Sequence, residues 1–432
     1  MVKDCIERSK LKLEDHQIKA VKWLMDDDNH DSLLLVHPTG LGKTLTAVTA
    51  SQCYLDKNSI NKVVFVGPQG LLSNFKKELE KYGVTDFSRY ELFSYQKFHK
   101  QDYGSKCNNS LLIVDEVHNL RKPLTKNSEK KTMTDSVYLC SRYAEKVLLL
   151  TATPFVNSLQ DFIPMINFLY GRKEITSSNE LLDPDDLEDF LDQKVYYMEI
   201  PEKLKNKFPS VEENNINLYM EPDYEKKYCN AIKGDLTEGV IFSNPSSFYN
   251  AHRRAVNKIG NGDEYFSKKM YSILDIIKNY KSVIFSNWLE YGLKPIQKAL
   301  KENKISSRIY SGELTKKEKD KILKDFNEDK YQVLVISKAG SEGLDLKGVR
   351  KVFIMDPMWN ETGLQQIKGR AVRLNSHAHL PISQRKVDIY YMILMTRNLL
   401  GCFSGDTLVY QFVEKKKLLN KEIMKVLKNL SI

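Results

Sequence analysis

Two short stretches hold residues whose types and spacing can do chemistry. In "SLLLVHPTGLGKTLTAVTA" (32–50) an apolar run leads through Gly40 and Gly42 into Lys43 and Thr44, where a helical pattern begins. A strand feeding a helix through a glycine turn aims backbone N–H groups at an anion. Lys43 then reaches the β- and γ-phosphates of a nucleotide, and the Thr44 hydroxyl is placed to ligate magnesium. His37 stands where the common form of such a loop has its first glycine, so the stretch alone also fits a basic turn after a strand. In "LLIVDEVH" (111–118) an apolar run ends in Asp115 and Glu116. The end of a strand is the edge where open α/β sheets bind ligands. Asp115 suits the magnesium, usually through water, and Glu116 suits orienting and deprotonating an attacking water. An acidic pair after a strand also serves as a helix N-cap.

The elements that must position these residues are legible as alternating runs. "SLLLV" (32–36), "KVVFVG" (62–67), "LLIVDE" (111–116) and "VLLLTAT" (147–153) have the length and β-branched content of buried strands, with helical patterns such as "LLSNFKKELEKYG" between them. Such alternation predicts a parallel sheet covered on both faces. A second group follows: "KSVIFS" (281–286), "SSRIYSG" (306–312), "YQVLVIS" (331–337), "KVFIMD" (351–356) and "VDIYYMIL" (387–394), again with intervening helices such as "LTKKEKDKILKDFNED". The fold class is therefore α/β, with two tandem parallel-sheet domains. The region between them reads as a partly helical connector with a strand pair at "KVYYMEI" and "NNINLYM". Near the C-terminus, Phe412, Leu419, Ile423, Val426, Leu427 and Leu430 mark an amphipathic helix, expected to dock on the second lobe.

Composition narrows the class. The chain has 432 residues, 41% hydrophobic and 28% charged, which suits a globular protein of more than one domain. A formal charge of +10 suits a polyanionic partner, and equally a solvated lysine-rich surface. The six cysteines show no C-x-x-C pair, which reads as single thiols in a reducing compartment. His377 and His379 read as part of a surface loop. No apolar run approaches a membrane span, and the N-terminus lacks a secretory h-region, so the protein is expected in the cytoplasm or nucleus, not secreted.

Taken in order, "DEVH" (115–118), "TATP" (151–154) and "QQIKGRAVR" (365–373) resemble motifs II, III and VI of superfamily 2 helicases. The resemblance extends nearly end to end. "HQIKAVKWL" (16–24), "TATPFVNSLQDFIPMINFLYG" (151–171), "FPSVEENNINLYMEPDYEKKY" (208–228) and "RIYSGELTKKEKDKILKDFN" (308–327) are similar to the SWI/SNF-type translocases. Within that group, the compact size and "TLVYQFVEKKKLLNKEI" are most similar to the nucleoside triphosphate phosphohydrolase I and early transcription factor ATPases of large DNA viruses. If viral, the protein is expected in host cytoplasm or virion. The phosphate loops of superfamily 2 do not require glycine at the first position, which accommodates His37.

The resemblance implies two RecA-like lobes, 1–170 and 266–432, joined by a connector at 171–265, with ATP and Mg2+ bound at the cleft. It implies that Gln17 hydrogen-bonds the adenine edge, that Thr151, Thr153 and Gln366 couple lobe closure to nucleotide state, and that Gly343 and Asp345 approach the nucleotide. It further makes Arg373 the arginine finger, with Arg370 supporting; two arginines at this spacing on a charged helix are the plainer alternative. Nucleic-acid contacts are implied at Pro68, Gln69, Ser94, Ser286, Asn287 and Ser337, each of which is also an ordinary strand-to-helix turn. "FYNAHRRAVNKIG" (248–260) is basic and reads first as a solvated helix face. The implied activity is DNA-stimulated ATP hydrolysis driving translocation, with DNA favoured over RNA, and with RNA polymerase or transcription-complex subunits as further partners. A strand-separating RNA or DNA helicase and a non-hydrolysing adaptor are the alternatives.

Overall fold

The computed structural model describes residues 2–26, 31–101, 106–122, 124, 132–154, 158–172, 174–175, 183–237, 250–260, 266–337, 344–358, 361–398 and 401–432. The chain forms two compact units, one of residues 1–201 with 418–432 and one of residues 202–417.

The first unit contains β1 (Ser32–Val36), β2 (Lys62–Gly67), β3 (Tyr90–Ser94), β4 (Ser110–Asp115), β5 (Lys146–Thr151) and β6 (Val195–Tyr197), in the order β3-β2-β4-β5-β1-β6. Every pairing is parallel. The period of two along each strand divides the apolar residues between two cores. Leu34, Val36, Val66, Leu112 and Val114 face one core, and Leu33, Leu35, Phe65, Leu111 and Ile113 face the other. Both faces are buried, which is why β1, β4 and β5 read as unbroken apolar runs. By contrast β3 lies at the sheet edge with Glu91 and Leu92 half-buried, and its mixed composition hid it from the sequence reading.

The second unit contains β7 (Ser210–Tyr219), β8 (Ser282–Phe285), β9 (Ser307–Tyr310), β10 (Val333–Ile336), β11 (Lys351–Ile354) and β12 (Lys386–Met395), in the order β7-β12-β11-β8-β10-β9, again all parallel. The expected strand pair between the lobes is corrected. β6 pairs with β1, bringing Tyr197 opposite Val36, while β7 pairs with β12, bringing Ser210 opposite Lys386. Alternating composition marks an edge strand without naming its partner, and each of these closes the edge of a different sheet.

Two further expectations are corrected. Residues 418–432 belong with the first unit, where Ile423, Val426 and Leu427 are buried in its core, whereas the earlier part of the helix Gly405–Asn429 belongs with the second. The chain then covers the β6 edge: Ile432 N donates to Val195 O at 3.2 Å, and the Ser431 hydroxyl donates to Tyr197 O at 2.8 Å. The cysteines are not single thiols. They form Cys5–Cys53, Cys107–Cys140 and Cys229–Cys402 disulfides, with no cysteine left free. These partners are far apart in sequence, so only the fold could reveal them, and the inference of a reducing compartment loses that support. Among the described residues no helix is long and apolar enough to cross a membrane.

Candidate nucleotide site

The first lobe gathers its polar residues at the C-terminal edge of the sheet. β1, β4 and β5 end at one level, with Val36 opposite Thr151 and Asp115 opposite Leu150. The chain leaves β1 at His37, whose N–H donates to Thr151 O at 3.2 Å, and turns through Gly40 (φ 87°) and Gly42 (φ 75°) into the helix Lys43–Asp56. Both glycines are left-handed, a conformation that other residues adopt only under strain. Gly42 is doubly constrained, because a Cβ there would lie 2.3 Å from Gln17 Nε2. The Lys43 ammonium donates to His37 O at 2.7 Å and Pro38 O at 3.3 Å, and Thr44 is half-buried beside it on the first turn.

Gln17 is buried against the loop. Its Nε2 donates to Gly42 O at 3.1 Å, and its Oε1 accepts from Glu14 N at 2.9 Å. In this structure the amide therefore holds the loop to the helix Asp15–Met25. His37 is fully buried, edge-on to Tyr196 (ring centroids 4.9 Å) and His16 (5.8 Å). Neither of its ring nitrogens has a hydrogen-bond partner among the described residues. Burial, reinforced by Lys43 and His16, pushes its pKa down to about 2, so the ring is neutral. It packs the base of the loop and leaves phosphate binding to the residues after it.

Asp115 ends β4 and is buried. Burial and the adjacent Glu116 raise its carboxyl to about 7, with Lys43 pulling it down. Glu116 has φ 53° and ψ 48°, and its N–H donates to Asp115 Oδ1 at 2.9 Å. His118 lies 3.4 Å from Glu116 Oε2 and shares a 3.0 Å hydrogen bond between Nδ1 and Thr151 Oγ1. Thr153 N donates to that same hydroxyl at 3.0 Å, while burial lowers the His118 pKa. Glu116, His118, Thr151 and Thr153 thus form one connected set. His118 appeared in the sequence only as the last letter of a motif; its bridging role depends on the fold.

Pro68 precedes the helix Gln69–Tyr82, whose first residue is exposed. Ser94 is a correction among the proposed nucleic-acid contacts: it is buried, and its hydroxyl accepts from Lys97 N at 3.2 Å as a helix cap.

In the second lobe Ser286 is corrected in the same way. It is fully buried and donates to Asp356 Oδ2 at 2.6 Å, an oxygen that also accepts from Asn287 N at 2.6 Å. Ser337 follows β10, its N–H donating to Tyr310 O at 3.2 Å. Gln366 and Arg370 share a face of the helix Glu361–Ala371, and Arg373 follows it. Arg373 lies 3.5 Å from Asp345 and donates from Nε to Gly369 O at 2.8 Å. Burial lowers its pKa, and Asp345 opposes that shift. Gly343 lies outside the described residues. The reading of His377 as surface is corrected: the ring is buried and bonded to Val349 O at 2.7 Å and to the Ser376 hydroxyl at 2.9 Å.

A glycine loop opening a helix, with an acidic pair on the same sheet edge, defines the class as a phosphate-loop nucleoside triphosphatase. Residues 10–156 match the family model described as type III restriction enzyme, res subunit, and residues 267–375 match the helicase conserved C-terminal domain. A protein of Acanthamoeba polyphaga mimivirus bearing the name of an ATP-dependent RNA helicase is 29% identical over 94% of each chain. Nucleoside triphosphatase I of Choristoneura biennis entomopoxvirus is 24% identical over 99% of this chain and 78% of its own. The Hef helicase domain of Pyrococcus furiosus has the same fold, with a TM-score of 0.53 and 16% identity over 92% of this chain and 97% of that one. The chain belongs to superfamily 2 of the helicases, and its activity is that of a nucleic-acid-dependent nucleoside triphosphatase.

Proposed function

We propose that the protein is an ATP-dependent DNA translocase whose hydrolytic centre is the sheet edge of the first lobe. The observation that carries the reading is the convergence there of the Gly42–Lys43 loop, Asp115 and the connected set from Glu116 to Thr153. The loop amides and Lys43 bind the triphosphate. Thr44 and Asp115 offer only oxygen donors, which suits a hard cation such as Mg2+. When bound, that ion neutralises phosphate charge during transfer. Glu116 orients the attacking water and takes its proton, and Thr151 and Thr153 relay the state of that carboxylate through His118. Gln366, Arg370 and Arg373 contribute from the second lobe, with Arg373 as the finger that stabilises transition-state charge, an effect on the order of 10³–10⁵ in related systems. Asp345, paired with Arg373, keeps that side chain placed.

Exposed Gln69, the turn at Pro68, and Asn287 and Ser337 in the second lobe are the contacts proposed for the nucleic-acid backbone. Such contacts carry no sequence information and suit a motor that must move. The two units, residues 1–201 with 418–432 and residues 202–417, open and close with the nucleotide to produce stepping. By its likeness to viral nucleoside triphosphatase I, the protein serves a transcription apparatus, with polymerase or transcription-complex subunits as partners. It works in the cytoplasm, nucleus or virion, wherever that template is held.

A second reading, a strand-separating RNA helicase, is favoured by the name of the mimivirus relative. Steady-state ATP hydrolysis with single-stranded DNA, duplex DNA or RNA, with Glu116→Gln as the blank, tests both. Stimulation by DNA supports the translocase, and stimulation by RNA alone puts the helicase first. Nucleotide binding without turnover under any condition would leave an adaptor.

A further inference from the structure

Glu116 is held in a backbone conformation that a glutamate does not choose for itself. Its φ of 53° and ψ of 48° are left-handed, and for a residue with a Cβ this costs about 1–2 kcal/mol. The adjoining peptide groups must therefore be fixed by their surroundings. One side chain reaches both. The Tyr95 hydroxyl donates to Asp115 O at 2.5 Å and to Glu116 O at 3.2 Å, the carbonyls on either side of the Glu116 Cα. Glu116 O also accepts from Asn119 N and Nδ2, each at 3.0 Å, but no other side chain among the described hydrogen bonds touches Asp115 O.

Tyr95 is itself immobilised. It opens the short helix after β3, is buried, and packs in the core cluster that includes Val66, Phe98, Val114 and Val117. A phenol is a hydrogen-bond donor at neutral pH, and this one has both carbonyls within reach. A rigid donor on two successive carbonyls sets the direction in which the side chain between them leaves the backbone.

We propose that Tyr95 is a positioning residue for the hydrolytic reaction: its hydroxyl fixes the left-handed turn at Glu116 and thereby aims the water-activating carboxylate. The proposal rests on the role given to Glu116 above.

The test is Tyr95→Phe, which removes one oxygen and keeps the ring. The expected result is a kcat for ATP hydrolysis lowered about 10–100-fold, with KM for ATP changed less than about twofold. Val137→Ala, a truncation in the same core away from the site, is expected to lower the melting temperature while leaving kcat near wild type. A Tyr95→Phe variant with wild-type kcat would overturn the proposal. A second arm needs no activity. Tyr95→Phe is expected to lower the melting temperature by about 3–6 °C when Glu116 is present, through loss of a buried hydrogen bond. In the Glu116→Gly background, where the turn no longer needs holding, the shift should be less than half as large. Equal shifts in the two backgrounds would overturn the proposal on structural grounds. Absence of any wild-type turnover would instead refute the assigned hydrolysis, and the stability cycle would still decide whether Tyr95 holds the turn.

Discussion

The two lobes share one sheet design but use buried polar groups differently. In the first, Asp115, His118 and Thr151 lie at the end of the sheet and act on one another within reach of the phosphate loop. In the second, the polar groups form an interior network. Lys269 and Asp406 are both fully buried and 2.5 Å apart, and Lys269 also donates to Met355 O at 2.6 Å. The next residue, Asp356, accepts from Ser286, Asn287 and Asn257. Trp288 follows in the same turn and lies under the Arg253 and Arg254 guanidiniums, at 5.4 and 4.7 Å. The first arrangement orients groups that must react. The second fixes a turn around one buried charge pair, Lys269 with Asp406, and the neutral donors that Asp356 accepts from. A sheet edge rich in polar residues is thus not by itself a reaction site; what matters is whether the polar groups lie beside a phosphate-binding loop.

Substitutions on the two sides should separate these roles. The largest effect is expected at Glu116. Glu116→Gln should lower kcat by about 10²–10⁴-fold, with nucleotide affinity nearly unchanged, because the amide keeps the shape but cannot accept the proton. Parallel turnover and nucleotide-binding titrations check this. Lys269→Met should instead reduce the stability of the second lobe by about 3–5 kcal/mol, because Asp406 is left as an uncompensated buried charge. Burial already holds that carboxyl above the ordinary range, with Lys269 pulling it down. Urea unfolding followed by tryptophan fluorescence measures the loss. The Lys269→Met/Asp406→Leu double variant should recover most of it; if the double variant were as unstable as the single, the network would be doing more than balancing charge.

The same contrast explains what the sequence disclosed. The strands buried on both faces were visible because two-sided burial demands continuous apolar runs, as in "SLLLV" of β1 and "SLLIV" of β4. The phosphate loop and acidic pair were visible because their chemistry depends on residues close together in sequence. Edge strand β3 and the partners of β6 and β7 were not, because a half-buried strand carries a weak pattern and pairing is a long-range property. The disulfides, the bond from Tyr95 to the Asp115 carbonyl and the contact of Gln17 with Gly42 all join distant segments. Ser94 and Ser286 occupy strand ends, as expected of backbone-contacting residues, yet local capping and Asp356 turn their hydroxyls inward. Packing, not residue type, decides which way their hydroxyls face.

A pH experiment tests the buried polar groups of the first lobe more gently. His37 has a folded pKa of about 2, far below its ordinary 6.5. The unfolded chain therefore binds a proton at this residue below pH 6.5 that the folded chain refuses. Its contribution to stability is intact above pH 6.5 and is lost progressively as pH falls. Between pH 6.5 and 5 this amounts to about 2 kcal/mol at most. His37→Asn should flatten that part of the curve. His118, whose pKa is also lowered by burial, acts in the same direction in both proteins, so the difference in slope reports His37 alone.

The smallest effect is expected where geometry rather than charge is changed. Gly42→Ala meets two obstacles: the Cβ collides with Gln17 Nε2 at 2.3 Å, and the backbone keeps a φ of 75°. The first can be relieved by shortening Gln17, and the second cannot. Gly42→Ala/Gln17→Ala should therefore bind ATP about tenfold more weakly than Gln17→Ala, a background that already lacks the amide expected at the adenine, the equivalent of roughly 1–2 kcal/mol of left-handed strain. Titration of a fluorescent ATP analogue against the three proteins distinguishes the terms. Full recovery to the Gln17→Ala level in the double variant would mean that the collision, not the backbone, makes glycine necessary, and that the loop tolerates a turn which the comparison with Glu116 says must be held in place by its neighbours.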